Sequence, residues 1–134
     1  MIKAAVVGHG KVGKETSFAV KIVDSVGNVH ERIVPLISKS VYFAELNAIK
    51  YVMLAIQDRK VDLYIETNLP HIPTYFDREN GKWVNRVKSN TKLIKELREL
   101  SQDFNTFKIE HLEDKSELLD EVHGMVKNVD PFRS

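Results

Sequence analysis

The run Gly8-His9-Gly10-Lys11-Val12-Gly13 follows directly on the apolar stretch Ala4-Ala5-Val6-Val7. In chemical terms that is a strand entering G-x-G-x-x-G, the spacing at which backbone amides can approach a dinucleotide's pyrophosphate. Such a site needs more than glycines. The third glycine must open a helix whose N-terminus faces the phosphates, and that helix runs about three turns before the next parallel strand. Here the stretch 17–23 (SFAVKIV) alternates with period two and puts Phe18, Val20 and Ile22 on one face. A strand therefore begins where the helix is needed. Asp24, the nearest acid that could reach a ribose, falls in the turn Asp24-Ser25-Val26-Gly27-Asn28 and arrives before the usual spacing of about 20 residues. The pattern reads as a strand followed by a glycine-rich loop. No dinucleotide is expected, and an oxidoreductase is kept only as a remote alternative.

A second group of residues could do different chemistry. From Lys82 to Arg98 the chain is mostly basic and carries its single Trp. Lys92, Lys95 and Arg98 fit a solvated helix face. Lys82, Trp83, Arg86 and Lys88, with Lys11 from the glycine loop, are the residues expected to meet phosphates and to stack on sugars or bases. The charge around this run is uneven although the formal net charge is only +1. Residues 1–60 carry nine Lys/Arg against five Asp/Glu, and residues 99–134 carry four against nine. A basic middle beside an acidic end points to a polyanionic partner.

Composition sets the outer limits. The absence of cysteine removes disulfides, thiolate metal sites and cysteine nucleophiles. The apolar run before Gly8 is too short for a signal peptide, and YVMLAI, the longest elsewhere, is far short of a membrane span. The expectation is a cytoplasmic chain with no membrane partner, forming one domain over 1–128 with a C-terminal tail at 129–134.

The elements that must position these residues follow from periodicity and punctuation. Residues 2–9 read as a buried strand, and 17–23 and 29–37 as two strands of a hairpin around the Gly27-Asn28 turn, with Pro35 near the end of the second. Ser40 opens a helix running to Asp58, in which Leu46, Ile49, Val52, Met53 and Ile56 recur at helical spacing. A strand at 61–67 (VDLYIET) runs into Asn68-Leu69-Pro70, where a short helix can start. Residues 73–90 read as a loop with a little helix. A helix over 90–101, a strand over 107–111 and a helix over 116–128 complete the chain. Three hairpin-linked strands followed by alternating helix and strand predict an α/β fold, a five-stranded mixed sheet flanked by helices.

This order, with a handful of residues, resembles type 1 ribonuclease H and the wider ribonuclease H-like superfamily over roughly residues 2–128. In that family the first strand ends in Asp-Gly before a glycine-containing loop; here His9-Gly10 stands in that place. The first helix of the family carries Glu-Leu-x-Ala, matched by Glu45-Leu46-Asn47-Ala48. The fourth strand ends in a Thr-Asp-Ser type triplet, matched in place by Glu66-Thr67-Asn68. The last helix opens with an acidic Asp-Glu-Leu type motif after a loop histidine, matched by Asp120-Glu121-Val122 after His111, with Glu117 between. The basic stretch around Lys82 and Trp83 falls where many members contact the hybrid.

The resemblance implies a metal-dependent hydrolase, an endonuclease that cuts the RNA strand of an RNA–DNA hybrid with two Mg²⁺ ions held by four carboxylates. Two cations about 4 Å apart need that concentration of negative oxygen donors. Glu45 and Asp120 keep their carboxylates. His9 would be a softer, uncharged ligand, compatible with Mn²⁺. At the fourth strand the register decides. Thr67 in the acid's place points a neutral hydroxyl into the site, while a bulge would bring Glu66 there instead. His111 would assist product release. Each residue also has an ordinary role: Glu45 as a helix-dipole charge, Asp120 as a solvated surface acid, His9 as a loop histidine. The sequence thus leaves two readings, a divergent nuclease whose site uses Glu45, Asp120 and His9, Thr67 or Glu66, and a catalytically dead module of the same fold that binds nucleic acid or protein.

Overall fold

The structure, a computed structural model, describes residues 1–10, 15–37, 40–84 and 87–128. Strands β1 (Ile2–Gly10), β2 (Glu15–Val23) and β3 (Val29–Ile37) form an antiparallel meander. Helix α1 (Val41–Ala55) crosses over to β4 (Asp62–Thr67), which lies parallel to β1. A short 3-10 turn (Ile72–Phe76) and a two-residue hairpin, β5 (Arg78–Glu79) and β6 (Lys82–Trp83), lead to α2 (Thr91–Ser101). Strand β7 (Thr106–Glu110) then pairs parallel with β4, and α3 (Glu117–Asn128) follows. The main sheet has five strands in the order β3-β2-β1-β4-β7, the mixed sheet the sequence predicts.

Alternation along the strands separates two cores. Ala4 and Val6 of β1, Phe18, Val20 and Ile22 of β2, and Leu63 and Ile65 of β4 pack against α1 and α2. Ala5 and Val7 of β1 and Ala19 of β2 face the other way, onto Leu119, Val122 and Val126 of α3. Every functional candidate on β1 or β4 is therefore committed to one helix layer or the other by the parity of its position.

Local differences from the sequence reading have physical causes. The Ser40 cap is as expected, its hydroxyl accepting the Phe43 amide at 3.1 Å. Helix α1 stops at Ala55 and not at Asp58, because Ile56 turns extended and drops its side chain into the core, while Asp58 accepts the Lys60 amide at 3.1 Å. No helix starts at Asn68; the 3-10 turn begins at Ile72, which is fully buried. The hairpin inside the expected loop is built on Asn80 and Gly81, both at positive φ (53° and 76°), the pairing that two-residue turns favour. Among the described residues no helix is long and apolar enough to cross a membrane. The tail at 129–134 lies outside the described residues.

Candidate functional site

The candidates converge on the carboxyl ends of β1 and β4. Regular pairing sets Val6 opposite Thr67 and Ala5 opposite Glu66, with no bulge, so Thr67 belongs to the α1 layer and Glu66 to the α3 layer. That settles the register that the sequence leaves open: the hydroxyl, not the second carboxylate, meets Glu45.

Glu45 sits one turn into α1 and has no solvent exposure. Its Oε1 accepts the Gly8 amide at 2.9 Å, and its Oε2 accepts the Leu69 amide at 2.9 Å and the Thr67 hydroxyl. One carboxylate thereby joins a helix, the end of β1 and the chain just past β4. It is not a dipole charge, since the first turn of α1 holds no acid. Burial pushes its pKa up to about 7, against the pull of the Thr67, Gly8, Leu69 and Asn68 hydrogen bonds toward the ionised form.

Gly8 explains how α1 comes so near. A Cβ at this position would lie 2.7 Å from both the Glu45 nitrogen and the Val41 carbonyl oxygen, so helix and strand meet backbone to backbone. The first glycine of the fingerprint serves close packing. The third, Gly13, and Lys11 lie outside the described residues, but β2 begins at Glu15, leaving no room for a phosphate-binding helix.

The α3 layer holds the remaining candidates. Glu66 is buried and accepts the Ser116 amide at 3.1 Å, just ahead of α3, where a negative charge suits the helix N-terminus. Ser116 in turn accepts the Leu119 amide at 3.1 Å. Asp120 is exposed in the first turn of the same helix. His9 is exposed and, two residues after Val7, shares its face. His111 follows β7, with Nδ1 3.3 Å from the Thr67 carbonyl oxygen, and His123 Nε2 lies 2.6 Å from Asn68 Oδ1. The three residues expected to hold metal are thus divided: Glu45 in the α1 layer, His9 and Asp120 in the α3 layer. Among the described residues no three His, Asp or Glu side chains form a group able to hold a metal ion. A pair of hard cations needs several free carboxylate oxygens close together. This donor set does not fit such a centre.

The basic segment runs from the β5–β6 hairpin through the connection after it into α2. Lys82, Lys88, Lys92 and Lys95 are exposed. Trp83 is half-buried, with the Arg78 guanidinium 4.2 Å and the Arg98 guanidinium 5.3 Å from its ring centroid. Its ring packs on this chain's own arginines. Arg98 does not lie on a solvated helix face: it donates to the Tyr75 carbonyl at 2.7 Å and the Val84 carbonyl at 3.0 Å, tying the hairpin to α2. Arg86 lies outside the described residues.

Sequence reasoning misses Gly8, Leu69 and Ser116, whose contributions are backbone donors or a missing Cβ. Only Gly8 leaves a readable trace, a glycine at a strand end with a helix due to pack on it.

No family model matches the chain, and no curated protein matches it by sequence. Solved structures do. The RNase H1 of the halophilic archaeon Halobacterium salinarum NRC-1 matches with a TM-score of 0.71 at 16% identity, over 96% of this chain and 98% of that one. LC11-RNase H1, isolated from compost by a metagenomic approach and solved in complex with an RNA/DNA hybrid, matches with a TM-score of 0.71 at 17% identity, over 91% and 93%. The N-terminal RNase H domain of a Mycobacterium tuberculosis protein matches with a TM-score of 0.65 at 12% identity, over 94% and 99%. The fold of this chain is ribonuclease H-like along nearly its whole length.

Proposed function

We propose that this chain is a nucleic-acid-binding domain of ribonuclease H-like fold, that its ligand is an RNA–DNA hybrid or a related duplex, and that any cleavage it performs is weak. The observation that carries the reading is the set of exposed cations Lys82 on the hairpin, Lys88 in the segment that follows it, and Lys92 and Lys95 on α2. Lysines that neutralise phosphates release condensed counterions, so they supply affinity without reading sequence. A similar fold solved with a hybrid supports the choice of ligand. In this reading Trp83 is a strut that holds Arg78 in place and takes no part in base stacking.

The test is fluorescence anisotropy with a labelled RNA–DNA hybrid over a range of salt concentrations. The reading predicts affinity that falls steeply with salt, and a slope that becomes shallower by roughly 1 for each phosphate-contacting lysine removed. Salt-independent binding, or binding untouched by a Lys82, Lys88, Lys92 and Lys95 quadruple alanine variant, would sink it. No binding to any duplex would leave the protein-interaction module as the surviving use of the fold.

A further inference from the structure

We infer that Glu45 is a positioning residue that closes the carboxyl end of the β1–β4 pair by hydrogen bonding alone, so that this end is organised without a divalent cation. The inference concerns the same sheet end as the resemblance to nucleases but does not depend on nucleic-acid binding.

Three observations combine. First, both carboxylate oxygens are already engaged: Oε1 by Gly8, Oε2 by Thr67 and Leu69, in a side chain with no solvent exposure. Second, α1 is already seated against β1, since even one added carbon on Gly8 would meet α1 backbone atoms at 2.7 Å. A magnesium ion keeps several waters in an octahedral shell and would have to displace these donors to reach Glu45. Third, the partner on β4 is Thr67, a hydroxyl that can donate to a carboxylate; an acid there would set two buried negative charges against each other. The replacement of an acid by Thr67 and the burial of Glu45 are then one arrangement. What two cations would do, hold helix and strands together through shared oxygens, is done by three donors on a single carboxylate. Glu66 makes the matching connection on the other face, to the start of α3. Adjacent residues of β4 thus tie down one helix each.

The test is NMR on the ¹⁵N-labelled protein, with Mn²⁺ alone as the probe and amide exchange as the second readout. The amides of Gly8, Thr67 and Leu69 should keep their linewidths as Mn²⁺ is added. The Gly8 and Leu69 amides should exchange at the same slow rate in EDTA, Mg²⁺ and Mn²⁺. Glu45→Gln, which turns an amide group toward a donor, should speed exchange at one or both of these amides roughly tenfold or more. Broadening confined to the exposed acids of residues 113–121 would be surface binding and would uphold the inference. Selective broadening of Gly8, Thr67 and Leu69 by a small excess of Mn²⁺, abolished by Glu45→Gln, would overturn it, as would exchange that quickens in EDTA or is unchanged in the variant. If Glu45→Gln does not fold, the wild-type Mn²⁺ and EDTA measurements still decide. Hybrid binding is not read in this experiment, so its outcome and that of the anisotropy titration are separable.

Discussion

At the closed end of the sheet Glu45 has no solvent exposure and gives both oxygens to Gly8, Thr67 and Leu69, whereas from the hairpin to α2 Lys82, Lys88, Lys92 and Lys95 all stand in water. Between these extremes lies Arg98, half-buried and bonded to two carbonyls. A buried carboxylate with fixed donors can hold a fold but offers nothing to a ligand. An exposed lysine contributes little to the fold and keeps its charge for a partner. In the proposed reading, the buried acids Glu45 and Glu66 serve architecture and the exposed lysines are left for a partner.

Substitutions can break or sharpen that contrast. Glu45→Ala should have the largest effect, a loss of about 3–6 kcal/mol, because the Gly8 and Leu69 amides each lose an acceptor at about 1–3 kcal/mol and a cavity remains. Urea unfolding measures it. Gly8→Ala should come next, at about 2–3 kcal/mol, since the added carbon strikes backbone that has no rotamer to escape into. The same unfolding assay applies, and a neutral result would mean that α1 can shift away from β1.

The pH dependence has a definite sign. With its folded pKa raised to about 7 from an unfolded value near 4.5, Glu45 contributes stability that is complete below about 4.5 and is lost as the pH rises through about 7. Wild type should therefore lose up to about 3 kcal/mol between those limits that Glu45→Gln does not lose. Unfolding midpoints of both proteins at either end of the window give the difference. Arg98→Ala should cost about 1.5 kcal/mol through its two carbonyl contacts and loosen the hairpin, seen as faster exchange at the Val84 amide, which donates to Asp77 at 3.0 Å. The smallest effect on stability, within about 0.5 kcal/mol, belongs to Lys92→Ala and Lys95→Ala, which should weaken hybrid binding all the same.

The strands and helices were legible because their signals are local: period-two alternation in 17–23, the unbroken helical spacing from Leu46 to Val52, the Ser40 cap. The hairpin at 78–83 reads as loop in the sequence: Asn80-Gly81 marks a turn, but two-residue strands are too short for alternation to show. The sheet end was legible only in part. Glu45 and Thr67 stand out as residue types, yet what they do depends on register, and register emerges from which face of β4 each core claims. Nothing in the residues around Leu69 announces that its backbone amide is a partner for an acid 24 positions earlier. Arg98 misleads for a similar reason, as its place in the helix looks solvated until the hairpin folds over it.

The most direct single measurement is a cleavage and mobility-shift assay of an end-labelled RNA–DNA hybrid in Mg²⁺, in Mn²⁺ and in EDTA, with wild type, Glu45→Gln and Asp120→Asn. Hybrid that is shifted in EDTA without any need for a divalent cation, and left essentially uncut in Mg²⁺ and Mn²⁺ by all three proteins, is the result expected of a binding domain whose sheet end is held by hydrogen bonds. Metal-dependent cutting that both substitutions abolish would contradict it, and would return Glu45 and Asp120 to a working nuclease centre.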